Sequence, residues 1–259
     1  TNIMAGLSFG LTGKVAIITG SGSGIGRAIA LGVSQAGANV VVTELPGKTD
    51  AAIETADLVR KEGKEAISVE LDVREINSVN LMVEKVIESF GRVDILVNNA
   101  GIIIRKKAIE ILEKDWDCVM DVNLKGLFFT TQSVAREMIK KGSGKIINIS
   151  SINGVIGSDE RASYTASKAG VINLTRTLAA EWAEYGINVN AIGPTYLLTS
   201  LTKSLFEDDD FKEKYFERQS IQRIGRPEDI IGAVIYLASS ASDLVTGHTL
   251  MVDGGWTSV

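Results

Sequence analysis

The sequence predicts an α/β protein with a single doubly wound parallel sheet, helices on both faces and a small helical lid. Over its 259 residues, short β-branched runs alternate with longer segments of helical periodicity. The predicted strands are almost entirely apolar, which is typical of strands that helices cover on both faces. No Pro- or Ser-rich linker interrupts the alternation, so we expect one domain over residues 1–259.

Seven apolar runs are expected to form the strands of this sheet. In chain order they are Lys14–Thr19, Asn39–Thr43, Ala66–Leu71, Val93–Val97, Lys145–Ile149, Asn188–Ile192 and Leu250–Val252. The segments between them that place apolar residues on one helical face are about 24–36, 49–62, 75–90, 113–140, 161–185 and 227–240. In such a sheet, ligands bind at the carboxyl ends of the strands.

One segment, about 195–225, departs from this alternation and has mixed polarity. We expect it to form a helical lid over the carboxyl ends of the strands. Its acidic run, Glu207–Asp210, is equally compatible with a solvated surface helix.

Charge and composition exclude several classes of function. The chain has a formal net charge of -5 and a pI near 5.1, whereas a nucleic-acid surface usually needs a basic patch. With one cysteine and one histidine it lacks the ligands of a thiolate or imidazole zinc site, and we expect no metal. No apolar stretch is long enough to cross a bilayer, and the N-terminus lacks the apolar core of a signal peptide. We therefore expect a cytoplasmic protein without nucleic-acid or membrane partners.

Glycines cluster between the first strand and the first helix. Gly20, Gly24 and Gly26 give the pattern G-x-x-x-G-x-G, with Ser23 and Ile25 between them. Such a loop lets the backbone approach a pyrophosphate closely, and the following helix offers free N–H groups to the phosphates. Glycine-rich turns also occur for structural reasons alone, but the place of this one in a β–α–β unit favours nucleotide binding.

An acidic residue, Glu44, ends the second strand. There a carboxylate can accept hydrogen bonds from both hydroxyls of an adenosine ribose, and it would repel a 2′-phosphate. Ser23 and Leu45 occupy the positions where a basic residue would bind that phosphate, which leaves Lys48 as the one basic candidate. The sequence therefore favours NAD over NADP.

Two further segments follow the third and fourth strands. Asp72 and Val73 follow the third strand, where the carboxylate can bind the adenine amino group or cap the next helix. Asn99, Ala100 and Gly101 follow the fourth strand, where their amides can contact the adenosine or stabilise the strand ends. Both segments are candidate cofactor contacts.

Tyr164 and Lys168 are four residues apart, which places both side chains on one face of a helix. A free tyrosine has a pKa near ~10, and a nearby ammonium group lowers it by favouring the phenolate. The pair is therefore suited to proton transfer at an alcohol oxygen, although such spacing alone is more often a surface coincidence.

Two more polar features accompany this pair. Ser150 and Ser151 end the fifth strand, so a hydroxyl lies at the carboxyl edge of the sheet. Asn123 is polar within an otherwise apolar-periodic helix, and a buried amide of this kind needs partners and can hold a water.

In their order and spacing, these motifs resemble the short-chain dehydrogenase/reductase family over nearly the whole chain, from about residue 8 to 257. The likeness rests on the loop Thr19–Gly26, Asn98–Gly101, Asn123, Ser151, Tyr164, Lys168, Asn188–Pro194 and Val252–Gly255. The resemblance implies a Rossmann-type oxidoreductase that moves a hydride between NAD and a carbon bearing a hydroxyl or carbonyl group. It also implies a homotetramer packed through helices at about 105–140 and 154–185.

The resemblance also implies a role for each residue of the catalytic set. Tyr164 is expected to be the general acid/base, and Ser151 the donor that positions the substrate oxygen. Ser151 is preferred to Ser150 because its separation of 13 from Tyr164 fits the family. Lys168 is expected to bind the nicotinamide ribose and to lower the pKa of Tyr164, and Asn123 to anchor a water in a proton relay.

The sequence departs from the family after the sixth strand. Where the family usually has Pro-Gly, this chain has Pro194-Thr195. Pro194 and the following Leu197 and Thr199 match the positions of the family's nicotinamide contacts. The side chain of Thr195 is expected to narrow the pocket or shift the loop, which makes it a candidate substrate contact.

Within the family, the chain is most similar to the branch that acts on sugars and sugar acids, including gluconate 5-dehydrogenases and 2-deoxy-gluconate 3-dehydrogenases. In this interpretation Arg105 binds the carboxylate of a small-molecule substrate, whereas the alternative is a basic loop that faces solvent. A glucose 1-dehydrogenase-like or other polyol activity, a 3-oxoacyl carrier-protein reductase and a broad-range ketone, diketone or secondary-alcohol activity are the enzymatic alternatives. The non-enzymatic alternative is a nucleotide-sensing scaffold on the same fold.

Overall fold

The computed structural model describes residues 8–200 and 202–258 as a parallel sheet flanked by helices. Its strands are β1 (Val15–Ile18), β2 (Asn39–Glu44), β3 (Ala66–Glu70), β4 (Ile95–Asn98), β5 (Gly144–Ile149), β6 (Ile187–Pro194) and β7 (Thr249–Val252). Its helices are α1 (Gly24–Gln35), α2 (Thr49–Lys61), α3 (Ile76–Phe90), α4 (Glu113–Met120), α5 (Leu127–Lys141), α6 (Ala162–Trp182), α7 (Asp209–Arg218) and α8 (Ile231–Ala238). The predicted fold class is confirmed.

The strand order is β3-β2-β1-β4-β5-β6-β7, and neighbouring strands pair in parallel. The chain runs outward from β1 to β3, returns to β4 beside β1, and then builds the other half. The order therefore reverses between β1 and β4. A doubly wound sheet leaves a crevice for a ligand at this point.

Apolar side chains fill the space between the sheet and the helices on each face. One layer packs α1, α2 and α8 against the sheet, and the other packs α3, α5 and α6 against it. Strand residues such as Ile17, Ile95 and Ile147 are fully buried, as expected for strands covered on both faces. Each predicted strand is present, with bounds that differ by one or two residues.

The predicted helix over 113–140 is wrong as a single element. A π-helical turn, Asp121–Gly126, separates α4 from α5. Such a turn widens the helix by one residue and redirects the side chains within it, which apolar periodicity does not reveal. The turn contains Asn123, one of the expected catalytic residues.

The segment expected to form a lid contains a short 3₁₀ turn, Lys203–Glu207, and α7. Aromatic side chains attach it to the carboxyl edge of the sheet and to the C-terminal segment; they are Tyr196, Phe206, Phe211, Tyr215, Phe216 and Trp256. The whole acidic run, Glu207–Asp210, is exposed, as in a solvated surface helix, and the carboxylate of Asp208 caps α7.

Residues 1–7, 201 and 259 lie outside the described residues, so the single domain over 1–259 stays a prediction. No helix of the described chain combines the length and the apolarity needed to span a membrane.

Candidate active site

Two adjoining cavities open at the carboxyl ends of the strands. The first, about 380 Å³, is called here the Glu44 cavity; it is lined by residues that include Gly20, Ser23, Glu44, Lys48, Asp72, Val73 and Arg74. The second, about 200 Å³, is the Tyr164 cavity; it is lined by residues that include Arg105, Ser151, Arg161, Tyr164, Lys168 and Thr195. Because both are lined by Asn99, Gly101 and Ile102, one extended molecule can occupy the two together.

The glycine loop packs tightly on itself between β1 and α1. Gly20 and Gly24 have φ angles of +62° and +54°, which L side chains rarely adopt. A Cβ on Gly26 would lie 2.2 Å from the carbonyl oxygen of Gly20, so only glycine fits there. Ser23, the N-cap of α1, makes no side-chain capping bond, which leaves the first N–H groups of the helix for a ligand.

Glu44 lies beside this loop at the end of β2. Its Oε1 accepts a hydrogen bond of 3.1 Å from the backbone N–H of Leu45. A Cβ on Gly22 would lie 2.9 Å from its Oε2, so the carboxylate lies directly against the loop. The strand and the glycine loop together place a negative charge on the wall of the Glu44 cavity.

Asp72 has a partner that the sequence analysis did not anticipate. Its carboxylate accepts hydrogen bonds from Arg74, at 2.9 Å from Nε and 2.5 Å from Nη2, and from the backbone N–H of Arg74 at 3.0 Å. The hydrogen bond from Arg74 holds the pKa of Asp72 below its ordinary value. The N-cap of α3 is Glu75, so the alternative of Asp72 as helix cap is wrong.

Asn99 braces the glycine loop. Its Nδ2 donates hydrogen bonds to the carbonyl oxygens of Thr19 and Gly20, at 2.9 and 3.0 Å. The Thr19 hydroxyl accepts hydrogen bonds from the backbone N–H groups of Asn99 and Ala100. Of the two roles open for this segment, stabilising the strand ends is the one that these contacts supply.

The Tyr164 cavity brings together the residues expected to transfer a proton. Tyr164 and Ser151 line the same cavity, and the side chain of Ser151 lowers the pKa of Tyr164 against the larger effect of burial. Ser151 Oγ also accepts the backbone N–H of Asn153 at 3.1 Å, which orients its hydroxyl. Ser150 Oγ instead donates to the carbonyl oxygen of Lys168 at 3.0 Å. The geometry thus sets Ser151, rather than Ser150, against the phenol.

Lys168 is buried beneath the ring of Tyr164. Its Nζ lies 5.7 Å from the ring centroid and donates a hydrogen bond of 2.8 Å to the carbonyl oxygen of Ile149. Burial lowers the pKa of Lys168 to about 8. Burial also raises the pKa of Tyr164, against a smaller lowering by Ser151. The expected lowering of the Tyr164 pKa is therefore reversed, because burial penalises the phenolate more than its neighbours favour it.

Asn123 is fully buried in the π-helical turn. Its Oδ1 accepts the backbone N–H of Ile102 at 2.8 Å, and its Nδ2 donates to the carbonyl oxygen of Ile102 and to Ser167 Oγ. The side chain thus ties the segment after β4 to α6, which carries Tyr164 and Lys168.

The basic cluster after β4 divides between the cavity and the surface. Lys106 pairs with Asp115, and Lys107 pairs with Asp159 and Glu160. Arg105 lines the Tyr164 cavity and forms no hydrogen bond or ion pair with any residue in 8–200 or 202–258. Arg105 is exposed to solvent at the rim of this cavity, as the alternative of a solvent-facing loop expects. Partial burial of its guanidinium lowers the pKa of Arg105, and the charge of Arg161 lowers it further.

Sequence reasoning missed Arg161, which lines the same cavity. It precedes Tyr164 by three residues, and no motif distinguishes it from an ordinary surface arginine at a helix N-terminus. Arg161 lines the cavity because, in the folded chain, the loop before α6 lies against the segment after β4.

Comparisons with known proteins agree with this geometry. A family model described as enoyl-(acyl carrier protein) reductase matches residues 20–257. A 2-dehydro-3-deoxy-D-gluconate 5-dehydrogenase of Dickeya dadantii is 46% identical over 96% of this chain and 97% of its own length. This chain belongs to the short-chain dehydrogenase/reductase family.

Other members of the short-chain dehydrogenase/reductase family differ in substrate. A 3-oxoacyl-[acyl-carrier-protein] reductase of Staphylococcus epidermidis is 40% identical over 93% of this chain and 98% of its own. A gluconate 5-dehydrogenase from Burkholderia cenocepacia, solved in complex with NADP and tartrate, is 41% identical with a TM-score of 0.93, covering 97% of this chain and 98% of its own. The chain is thus an oxidoreductase of this family that acts on a CH–OH group.

The residues present fit the nicotinamide dinucleotide that the short-chain family uses. The glycine loop supplies a close backbone approach for the pyrophosphate, and the Glu44 cavity has a carboxylate for ribose hydroxyls. Ile25, Pro194, Leu197 and Thr199 line the Tyr164 cavity where a nicotinamide would lie. The two cavities therefore match the two halves of the cofactor.

Thr195 replaces the usual glycine of the short-chain family without blocking the cavity. It is buried directly after β6, lines the Tyr164 cavity, and its Oγ1 has no hydrogen-bond partner among the described residues. The hydroxyl also lies near Tyr215 of α7, whose pKa it lowers slightly against the larger effect of burial. Thr195 thus connects the cavity wall to the lid segment.

Proposed function

We propose that this protein interconverts a secondary alcohol and a ketone on a sugar acid of the gluconate type, with NAD(H) as the hydride carrier. The observation that carries the proposal is Arg105, which has no partner among residues 8–200 and 202–258 and lines the same cavity as Ser151 and Tyr164. A carboxylate suits such a guanidinium because the two can form parallel charge-assisted hydrogen bonds. Relatives named for 2-dehydro-3-deoxy-D-gluconate and gluconate support the same substrate class.

Proton transfer is assigned to Tyr164. In oxidation, the substrate hydroxyl gives its proton to the Tyr164 oxygen as the hydride leaves the same carbon; in reduction, the phenol returns that proton to the carbonyl oxygen. When bound, the nicotinamide supplies the hydride chemistry. Ser151 holds the reacting oxygen, since its own oxygen already accepts from Asn153 and its hydroxyl proton is available to donate.

Lys168 and Asn123 support this step. Lys168 uses one N–H for the Ile149 carbonyl, which leaves two donors for the hydroxyls of a nicotinamide ribose. Its charge lies under the Tyr164 ring and favours the phenolate when the proton leaves. Asn123 commits both N–H groups and one lone pair to Ile102 and Ser167, so a relay water would bind its remaining lone pair.

The preference for NAD over NADP depends on Glu44. Its carboxylate favours two ribose hydroxyls and repels a 2′-phosphate. Of the two cations on the same cavity, Arg74 is already bound to Asp72, whereas Lys48 lies on the loop beyond β2. The Burkholderia cenocepacia relative was solved with NADP, so the cofactor is to be tested directly.

We also propose a homotetramer and a cytoplasmic location. An apolar groove between the π-helical turn and α6 suits a second copy of the chain; it is lined by residues that include Met120, Leu124, Phe128, Gly170 and Leu174. The mass of the particle by light scattering tests the assembly, and a monomer would contradict it. The location is inferred from the single cysteine of the chain.

The deciding experiment compares D-gluconate with D-glucitol, which differ in charge at one end of the same carbon chain. We expect kcat/KM with NAD to be at least roughly tenfold higher for the acid, the ordinary value of one charge-assisted contact. Equal rates, or faster turnover of the neutral polyol, would remove the sugar-acid assignment.

Two further assays address the other candidates. The Staphylococcus epidermidis relative makes a 3-oxoacyl substrate the main rival, so acetoacetyl thioester with NADPH is measured in parallel. If that is the best substrate, the proposed function is wrong. Absence of NADH binding, measured by its fluorescence, would instead favour a non-enzymatic protein.

A further inference from the structure

At the rim of the Tyr164 cavity, a backbone hydrogen bond and two ion pairs join the segment after β4 to the segment before α6. The backbone N–H of Lys106, after β4, donates a hydrogen bond of 3.0 Å to the carbonyl oxygen of Glu160, before α6. Lys107 Nζ lies 2.7 Å from Asp159 Oδ2 and 3.3 Å from Glu160 Oε1. The carboxylates of the second segment are thus matched by Lys107 of the first.

The same contacts set two arginines side by side. Arg105 directly precedes Lys106 and Lys107, and Arg161 directly follows Asp159 and Glu160. Both arginines line the Tyr164 cavity. They are close enough for the charge of Arg161 to lower the pKa of Arg105, after the larger effect of burial. Both charges also lower the pKa of Tyr164, against the larger raising by burial, so the arginines lie near the reacting oxygen.

The backbone is strained at Glu160, between the ion-paired carboxylate of Asp159 and Arg161. Glu160 has a φ of 59°, and it is the one non-glycine residue of the described chain with a positive φ. Side chains rarely adopt this region, and a residue held there by its surroundings often marks a functional site. Here the left-handed residue lies between the carboxylate of Asp159, which pairs outward with Lys107, and Arg161, which lines the cavity.

Arg161 is held in place without being neutralised. Its Nη1 donates to Ser158 Oγ, and its Cζ lies 5.5 Å from the ring centroid of Tyr196. Its Nε is buried and has no hydrogen-bond partner in the described chain. No carboxylate of residues 8–200 or 202–258 lies within ion-pair distance of either Arg105 or Arg161. A buried donor without a partner is costly unless a ligand supplies the acceptor.

We propose that Arg161 is a second anion-binding residue and that Arg105 and Arg161 form a two-guanidinium site for the carboxylate of an open-chain hydroxy acid or keto acid. The proposal rests on the proposed function, and it adds a residue and a geometry to it. A carboxylate has two oxygens and about four lone pairs, so it can accept from the Nε of Arg161 and from Arg105 at once. An anion between the two guanidiniums also removes their mutual repulsion. Neutral sugars gain neither effect.

The test uses four variants: Arg161→Gln, Arg161→Lys, Arg105→Gln and, as a matched control, Arg176→Gln. Arg176 is exposed on α6, the helix that follows Arg161, and lies outside the residues that line the Tyr164 cavity. The probes are D-gluconate and D-glucitol. Gluconate binding to the protein saturated with NADH is measured by calorimetry, because no turnover occurs between two reduced partners.

We expect Arg161→Gln to raise both the gluconate Kd and the gluconate KM by roughly 10–100-fold. The KM for D-glucitol and the affinity for NADH stay within about twofold, because neither ligand carries the carboxylate that Arg161 binds. Arg161→Lys keeps the charge but loses the Nε donor, so it recovers only part of the affinity. Arg176→Gln behaves as wild type. Thermal unfolding of each variant reports whether the fold is retained.

Three outcomes would overturn the proposal, and they separate it from the proposed function. If Arg161→Gln leaves gluconate binding unchanged while Arg105→Gln weakens it, Arg161 is not a ligand and the sugar-acid assignment stands. If wild type prefers D-glucitol, the proposed function fails and the two-guanidinium site fails with it. If 6-phosphogluconate binds through Arg161 far more tightly than gluconate, the site is built for a phosphate and the carboxylate assignment is wrong.

Discussion

The two ends of the sheet differ in how fully the protein pairs the charged groups that line their cavities. At the amino ends lies a cavity of about 680 Å³, larger than either cavity at the carboxyl ends. Its central carboxylate, Asp94, accepts hydrogen bonds from Arg92, from Lys141 Nζ at 2.6 Å and from the backbone N–H of Val15 at 3.0 Å. At the rim, Lys145 pairs with Asp243. The acids of this cavity are satisfied by the protein itself.

At the carboxyl ends the protein leaves charges and donors unmatched. Arg105 has no hydrogen-bond or ion-pair partner in the described chain, and the Nε of Arg161 is buried without one. Lys168 is buried against a carbonyl oxygen rather than a carboxylate. The larger cavity therefore contains acids that the protein already pairs, whereas the smaller Tyr164 cavity contains a buried donor, Arg161 Nε, that the described residues leave unpaired. A buried polar group that the fold leaves without a partner marks a place where a ligand can supply one.

The strongest test of this comparison is Tyr164→Phe. We expect kcat to fall by roughly 10³-fold or more, because the proton has no other acceptor at the reacting oxygen. NADH affinity, measured by fluorescence, changes little because the ring remains. Tyr185→Phe, an exposed tyrosine beyond α6, is the control and keeps full activity. A Tyr164→Phe protein with more than a tenth of the wild-type rate would refute the assignment.

The opposite result is expected at the amino ends. Asp94→Ala leaves two cations and a backbone N–H without their acceptor, which costs roughly 3–5 kcal/mol in the free energy of unfolding. The melting temperature should fall by about 10 °C, while the KM for gluconate stays unchanged. Asp243→Ala, on the exposed pair of the same cavity, should cost less than about 1 kcal/mol. A large change in the KM for gluconate of Asp94→Ala would contradict the view that the amino-end cavity contributes to stability and not to substrate binding.

Asp94 also predicts how stability responds to acid. Burial alone would raise its pKa, but the hydrogen bonds from Arg92, Lys141 and Val15 together lower it below the ordinary value of 3.8. Its contribution is therefore complete above that value and is lost as the pH falls through the lower, folded pKa. Wild type and Asp94→Ala should converge in melting temperature as the pH is lowered below about 4. A constant difference down to pH 2 would contradict this.

A fourth test concerns the pH dependence of oxidation and of reduction. Burial raises the pKa of Tyr164, so at neutral pH the phenol is protonated and ready for reduction. Oxidation needs the phenolate, and its rate should rise by up to roughly tenfold per pH unit from neutral pH. Because the pKa of Lys168 is about 8, that group loses its charge within the same pH range. An oxidation rate that is flat from pH 6 to 10 would exclude this pair as the acid/base.

The smallest expected effect lies in the Glu44 cavity. Glu44→Ala removes the carboxylate that repels a 2′-phosphate, so the ratio of kcat/KM for NADP to that for NAD should rise by about tenfold. Asp50→Ala, which removes a carboxylate from the first turn of α2, is the control. An unchanged ratio would show that Glu44 does not select the cofactor.

Local patterns were sufficient for most of the fold and much of the site. The glycine loop, Glu44 and the Tyr164–Lys168 spacing are short-range signals, and the structure brings them to one edge of the sheet. The π-helical turn at Asn123 was not predictable, because one added residue in a helix barely disturbs its apolar period. The Asp72–Arg74 pair was also missed, since a loop carboxylate has several possible partners in sequence.

The sequence by itself determined the succession of strands and helices, the glycine loop and the Tyr164–Lys168 spacing, because each depends on neighbours within one or two turns. The tertiary structure alone decided which charges stay unmatched. Arg105 and Arg161 are 56 positions apart in the sequence, and only the folding of one segment against the other sets them in one cavity. Charge pairing depends on distance in space, and that distance is fixed only when the chain has packed.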